Sequence, residues 1–203
     1  KSSEIDKNII YLGVNLKSQL NAIFAHLQIQ KKNKTLVLYP EGPNEKFYEN
    51  NERYSFAFQM MAYISRLSLF KEALTKNYDI IFTERSMYTD KNVFAKMLYD
   101  CKKMDSIEYQ IYLKWFDEFA ECIKHIKIVY IRTSPEICDR RVKKRARQGE
   151  NIPLQYLKDC HHYHDCWLIN NVDKIKLNKI LIIDGNEETN TSQFIENRYY
   201  DEL

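Results

Sequence analysis

Ile126-Lys-Ile-Val-Tyr-Ile131, continued by Arg132-Thr-Ser-Pro-Glu136, reads as a strand that runs straight into a helix. The first six residues are apolar except for one lysine and are rich in β-branched side chains, the pattern of a strand covered on both faces. Ser134-Pro135-Glu136 is a helix start, an N-cap followed by proline at N1, where the missing N–H has no intrahelical partner to lose. The same alternation runs outward in both directions. Asn8-Ile-Ile-Tyr-Leu-Gly-Val14, Thr35-Leu-Val-Leu-Tyr39, Asp79-Ile-Ile-Phe82 and Lys179-Ile-Leu-Ile-Ile-Asp184 are the other strand-like runs. Between them lie amphipathic stretches at Lys17–Gln30, Glu52–Thr75, about Asp90–Cys101, Ser106–His125, Ser134–Gln148 and Pro153–Asn171. On Lys17–Gln30, Leu20, Ile23, Phe24 and Leu27 share a face; on Glu52–Thr75, Phe56, Gln59, Met60 and Tyr63 form a stripe. Alternating strands and helices predict a five-stranded parallel sheet in an α/β layered fold, as one domain over residues 1–203.

Composition agrees with an ordinary globular protein. Of 203 residues, 44% are hydrophobic and 29% charged, and the net charge is +3. This excludes a disordered chain, gives no apolar run able to span a bilayer, and does not call for nucleic acid as a partner. Five cysteines are an odd number in a chain that needs no staples, so free thiols of a reducing compartment are expected, cytoplasm or mitochondrial matrix. Lys1–Asp6 does not resemble a secretory signal, and the terminal Asp-Glu-Leu reads as a polar tail. Only four glycines are present: Gly13, Gly42, Gly149 and Gly185. No two lie close enough to complete G-x-x-x-x-G-K-[ST] or G-x-G-x-x-G.

In a parallel sheet, ligands bind beyond the carboxyl ends of the strands. After the runs come Gly13-Val-Asn-Leu-Lys-Ser18, Pro40-Glu41, Thr83-Glu-Arg-Ser-Met-Tyr-Thr-Asp90 and Arg132-Thr-Ser-Pro135, with Arg140–Arg147 one helix later. Cations and carboxylates therefore collect at one edge. Phosphoryl transfer needs that mixture: positive charge for the phosphates, a carboxylate for Mg²⁺, and a base for the attacking hydroxyl. Cys160-His161-His162-Tyr-His164-Asp-Cys166 has the composition of a metal cluster, but no second ligand pair accompanies it.

Three separate segments resemble the deoxynucleoside kinase family. They are Glu84-Arg-Ser-Met-Tyr-Thr-Asp90; Glu52-Arg-Tyr-Ser-Phe-Ala-Phe-Gln59 with Ser65-Arg66; and Arg141-x-x-x-Arg145-x-Arg147-x-x-Glu150-x-Ile-Pro-Leu-x-Tyr-Leu157. His162-Tyr-x-x-x-Trp167-Leu168 extends the similarity, which runs from about Thr35 to Leu168. The resemblance implies a P-loop-type three-layer sandwich, an arginine-rich lid at about 140–152, ATP as donor, Mg²⁺, and a homodimer. It implies Glu41 as general base, with Arg85 steadying the 5′-hydroxyl and Glu84 near Mg²⁺. Gln59, Arg66, Asp90, Phe58 and Phe94 match the positions that meet the base, and Tyr48 and Glu150 those that hold the sugar 3′-hydroxyl. Keeping both Arg66 and Asp90 points toward deoxycytidine and deoxypurine nucleosides. Lys17, Ser18, Arg141, Arg145 and Arg147 match groups on the donor phosphates, with Ser18 also near Mg²⁺. The basic run Arg140–Arg147, alone a nucleic-acid patch, reads as this lid.

The pattern departs from the family at Gly13–Lys17, where the loop is short and Leu16 replaces the glycine before the lysine. A side chain there disfavours the backbone that wraps N–H groups around a phosphate. The stretch after Glu41 is compressed too. Two readings fit: loop residues are missing from these stretches of the sequence, or the chain is a homologue with weakened ATP binding that serves as a nucleoside-binding or accessory subunit. The persistence of Glu41, Gln59, Glu84, Arg85, Asp90 and the lid arginines favours an active kinase.

Overall fold

A computed structural model describes residues 8–13, 35–38, 50–76, 78, 80–119, 126–145, 152–170 and 179–186. Five strands, β1 (Asn8–Gly13), β2 (Thr35–Leu38), β3 (Ile80–Glu84), β4 (Ile126–Arg132) and β5 (Lys179–Asp184), form one sheet in the order β2-β3-β1-β4-β5. Every pairing is parallel, with Leu12 opposite Glu84, Leu38 opposite Thr83, and Arg132 opposite Asp184. All carboxyl ends therefore share one edge. From β1 the chain crosses to the edge strand β2, returns to place β3 between them, and then extends on the other side of β1 through β4 and β5. The crevice at such a reversal is where α/β sheets bind ligands.

The helices are α1 (Asn51–Thr75), α2 (residues 87–100), α3 (Ser106–Phe119), α4 (Pro135–Arg145) and α5 (Leu154–Leu168). Asn50 caps α1, its side chain accepting the Arg53 N–H at 3.1 Å. Strand β3 reaches two residues beyond the apolar run, through Thr83 to Glu84. Helix α2 starts at Met87, not at Asp90 as the periodicity predicts. Ser86 accepts the Thr89 N–H at 2.9 Å while the Thr89 hydroxyl takes the Ser86 N–H at 3.3 Å, a reciprocal cap that begins the helix one turn early. Within α2, Asp90–Ala95 is a π-turn, flanked by α-helical Met87–Thr89 and Lys96–Asp100. The stretch expected to form a helix at Lys17–Gln30 lies outside the described residues.

The core joins α1, α2, α3 and α5 to β4, with Tyr63, Phe70, Met87, Tyr112, Tyr130 and Leu168 almost fully buried. Burial of that much aromatic and aliphatic area is the main favourable term, at roughly 25 cal/mol per Å². The inward line of α1 differs from the expected stripe. It runs Ser55, Gln59, Tyr63, Arg66, Phe70 and Ala73, with Phe56 and Met60 only partly buried. Polar side chains thus point inward at the amino-terminal half of α1.

Gly185 is required sterically. A Cβ on Gly185 would lie 2.2 Å from Thr133 Oγ1 and 2.8 Å from Ile131 Cγ2. Its N–H donates to the Arg132 carbonyl at 2.8 Å, and the Asn186 side-chain oxygen accepts the Ser134 N–H at 2.8 Å. Only a bare backbone lets the exits of β4 and β5 close on each other.

Candidate active site

Strand β3 and the turn after it deliver the first two functional side chains. Glu84 is its last residue and Arg85 follows with φ 62°, left-handed backbone that is uncommon outside glycine. The Thr83 hydroxyl donates to the Arg85 carbonyl and helps to hold it. Non-glycine residues in this region cost of order 1–3 kcal/mol and cluster where a side chain must be aimed. Here the aim is visible: the Arg85 guanidinium lies 4.6 Å above the Phe94 ring. Phe94 comes from the π-turn, which inserts one residue into the helical register and so re-aims the side chains after it.

The π-turn also begins with Asp90, which is 2% exposed. Its carboxylate is in direct contact with Arg66 Nη1 from α1, itself 6% exposed. Gln59, two turns before Arg66 on α1, is buried too and donates from Nε2 to the Asp90 carbonyl at 3.4 Å. Burial pushes the Asp90 carboxyl up from its ordinary range, against the pull of Arg66 and Arg85. Phe58 is half-buried on α1 beside Gln59. Thus Gln59, Arg66, Glu84, Arg85, Asp90 and Phe94 come together at the carboxyl end of β3.

Behind Phe94 stands His164 of α5, edge-on at 6.3 Å between ring centres, with Tyr130 stacked on its other side at 5.7 Å. His164 is a packing residue here, its Nδ1 on the Cys160 carbonyl at 2.6 Å. Burial pushes its imidazole down to about 4, helped by Arg85 and His161 and opposed by the Cys160 carbonyl and Asp165. An unfolded histidine titrates near 6.5. Between those values the unfolded chain holds a proton that the folded chain does not, so stability is complete above pH 6.5 and falls as the pH drops toward 4. We expect this residue to contribute roughly 3 kcal/mol of acid-side loss. Urea unfolding at several pH values checks it: His164→Gln should flatten the slope between pH 6.5 and 4, and an unchanged slope contradicts the assignment.

Beside it, Asp165 takes Arg132 through Nε and Nη2 at 3.0 and 2.8 Å, and the Tyr130 hydroxyl at 2.9 Å. Its carboxyl sits below the ordinary range: burial would raise it, but the hydrogen bonds from Arg132 and Tyr130 prevail. These contacts fix α5 to the carboxyl end of β4, next to the start of α4. Arg141 is partly buried and Arg145 exposed on α4. Lys17, Ser18, Glu41, Tyr48, Arg147 and Glu150 lie outside the described residues.

The arrangement shows a buried cation–carboxylate pair with a neighbouring amide, a guanidinium held by an aromatic ring, and a carboxylate at a strand end. A profile for the deoxynucleoside kinase family matches residues 9–201. The chain belongs to the deoxynucleoside kinase family. It is an enzyme of the nucleoside phosphotransferase class, using small-molecule nucleoside and nucleoside triphosphate substrates, and shares that family's P-loop fold. It is 34% identical to deoxycytidine kinase of Homo sapiens over 180 residues, which are 81% of this chain and 67% of that protein. It is 36% identical to a probable deoxycytidine kinase of Fowlpox virus over 166 residues, 77% and 70% of the two chains. It is 32% identical to a mitochondrial deoxyguanosine kinase of Xenopus laevis over 131 residues, 60% and 49% of the two chains.

Three features of this neighbourhood escape sequence reading. The Ser86–Thr89 cap has threonine where the usual signature has Glu or Gln. His164 carries no local mark of its ring partners. Tyr112, on the inward face of α3, looks like any core aromatic of an amphipathic helix.

Proposed function

We propose that this kinase transfers the γ-phosphoryl group of ATP to the 5′-hydroxyl of a deoxynucleoside, preferring deoxycytidine or a deoxypurine nucleoside to thymidine. The observation behind the base preference is the buried Arg66–Asp90 pair with Gln59 on the Asp90 carbonyl. Such a set offers donors and acceptors that suit an amino-bearing base edge, and leaving them unpaired disfavours bases without that edge. The names of the human and Fowlpox virus relatives fit this preference.

In this reading Glu41 accepts the 5′-hydroxyl proton, and Arg85 steadies the reacting oxygen. Phe58 and Phe94 flank the base, while Tyr48 and Glu150 hold the 3′-hydroxyl. Lys17, Arg141, Arg145 and Arg147 balance phosphate charge, the three arginines within a lid at about 140–152. Glu84 is a partly buried carboxylate at a strand end, a hard oxygen donor of the kind Mg²⁺ takes; with Ser18 it would hold the ion. When bound, Mg²⁺ neutralises charge on the donor phosphates.

The whole of 1–203 acts as one catalytic domain. It works as a homodimer, for which exposed Met61 and Ile64 on α1 and Ile107, Ile111 and Trp115 on α3 supply apolar surface. Free Cys101, Cys138 and Cys160 fit a reducing compartment, cytoplasm or mitochondrial matrix. Among the described residues no helix is long and apolar enough to cross a membrane. Leu16, in the place of a phosphate-loop glycine, favours a second reading, an accessory nucleoside-binding homologue with weak ATP binding. Phosphate transfer from ATP to the four deoxynucleosides separates the two.

A further inference from the structure

Two buried polar atoms among the described residues have no hydrogen-bond partner, and both belong to one neighbourhood: Arg66 Nε and the Tyr112 hydroxyl. Tyr112 is fully buried on α3, with its ring edge-on to Tyr63 of α1 at 5.8 Å. Its hydroxyl feels Asp90 and Arg66 and lies near the Gln59 carboxamide without reaching hydrogen-bond geometry. A buried hydroxyl without a partner is destabilising, because its desolvation is not offset by a hydrogen bond. Phenylalanine would fill the same space without that cost. Gln59 meanwhile holds the Asp90 carbonyl through Nε2 by a long 3.4 Å contact, a weak constraint on a carboxamide whose two ends differ in hydrogen-bonding sense. Tyr112 is the neighbouring group with a free hydrogen and free lone pairs able to fix that carboxamide.

We infer that Tyr112 is a positioning residue for nucleoside selection: its buried, unpartnered hydroxyl engages Gln59 when a base is bound and sets which end of the carboxamide the base meets. This rests on the reading of Gln59 as a base-contacting residue. No proton is transferred and no bond is made; the hydroxyl limits the carboxamide to one orientation, and the selectivity between base edges follows from it.

The test compares Tyr112→Phe and Gln59→Leu with the parent in the full-length protein, using deoxycytidine, deoxyadenosine, deoxyguanosine and thymidine. Tyr112→Phe is expected to raise KM for the preferred nucleoside about three- to tenfold, the worth of one hydrogen bond. Selectivity among the four should narrow, with kcat and the KM for ATP unchanged. Its melting temperature should equal or exceed the parent's, which separates positioning from packing. A KM unchanged in Tyr112→Phe but raised in Gln59→Leu overturns the inference and leaves the base-site reading standing. If neither variant moves KM, both fall. A lowered melting temperature with unchanged selectivity assigns Tyr112 to packing and also overturns the inference.

Discussion

Replacing Glu41 by glutamine is expected to lower kcat by about 10³-fold while leaving nucleoside affinity within a small factor, as befits loss of a general base. The two side chains have nearly the same shape, so the change removes proton acceptance and charge and little else. The Gln59, Arg66 and Asp90 group that we assign to the base is untouched, which is why binding should survive. Steady-state kinetics together with calorimetric titration of the nucleoside separates the two quantities. A variant that turns over at the parent rate would refute the role of Glu41. Equal loss of affinity and rate would mean that Glu41 shapes the pocket instead.

The second large effect is on stability. Asp90→Ala should destabilise the fold by about 3–5 kcal/mol, because it leaves the Arg66 guanidinium buried without its counter-charge. The double variant Arg66→Met, Asp90→Leu should recover most of that loss, since apolar side chains of similar volume avoid the desolvation of both ions. It should not recover nucleoside selectivity. Urea unfolding at neutral pH measures the first part and nucleoside KM values the second. A loss below 1 kcal/mol in Asp90→Ala would show that water reaches Arg66 and that the pair is not the buried element described here.

How far the sequence discloses this molecule differs from one element to the next. Strand β5 coincides with its apolar run, Lys179–Asp184, because side chains buried on two faces leave an unbroken pattern. Strand β3 extends past its run because Thr83 and Glu84 pair as backbone, through Leu38 and Leu12, and backbone pairing leaves no mark in the side-chain pattern. The early start of α2 depends on a hydroxyl pair, Ser86 and Thr89, whose reciprocal bonds are a matter of geometry. The π-turn at Asp90–Ala95 is invisible to a 3.6-residue period, being a single-register insertion. The inward face of α1 is legible only in part. Gln59 and Tyr63 of the expected stripe are buried, but Phe56 and Met60 are only partly so, and Arg66, which hydrophobicity would not select, lies on the buried line. That is the conflict expected where a helix face serves a polar site instead of a core.

The candidate site is legible through motifs, not through physics of single residues. Glu84-Arg85 in isolation would be a solvated pair. What the structure adds is the left-handed backbone at Arg85, its seat on Phe94, and the partner of Asp90, 24 residues away on another helix. No spacing rule connects Arg66 to Asp90.

Phosphoryl transfer to a deoxynucleoside is read out by transfer of label from γ-³²P-ATP, with Mg²⁺, by the full-length protein. Labelled 5′-monophosphate is expected from deoxycytidine or a deoxypurine nucleoside at a higher kcat/KM than from thymidine. A folded protein that labels none of the four nucleosides would contradict it and leave the accessory, nucleoside-binding reading.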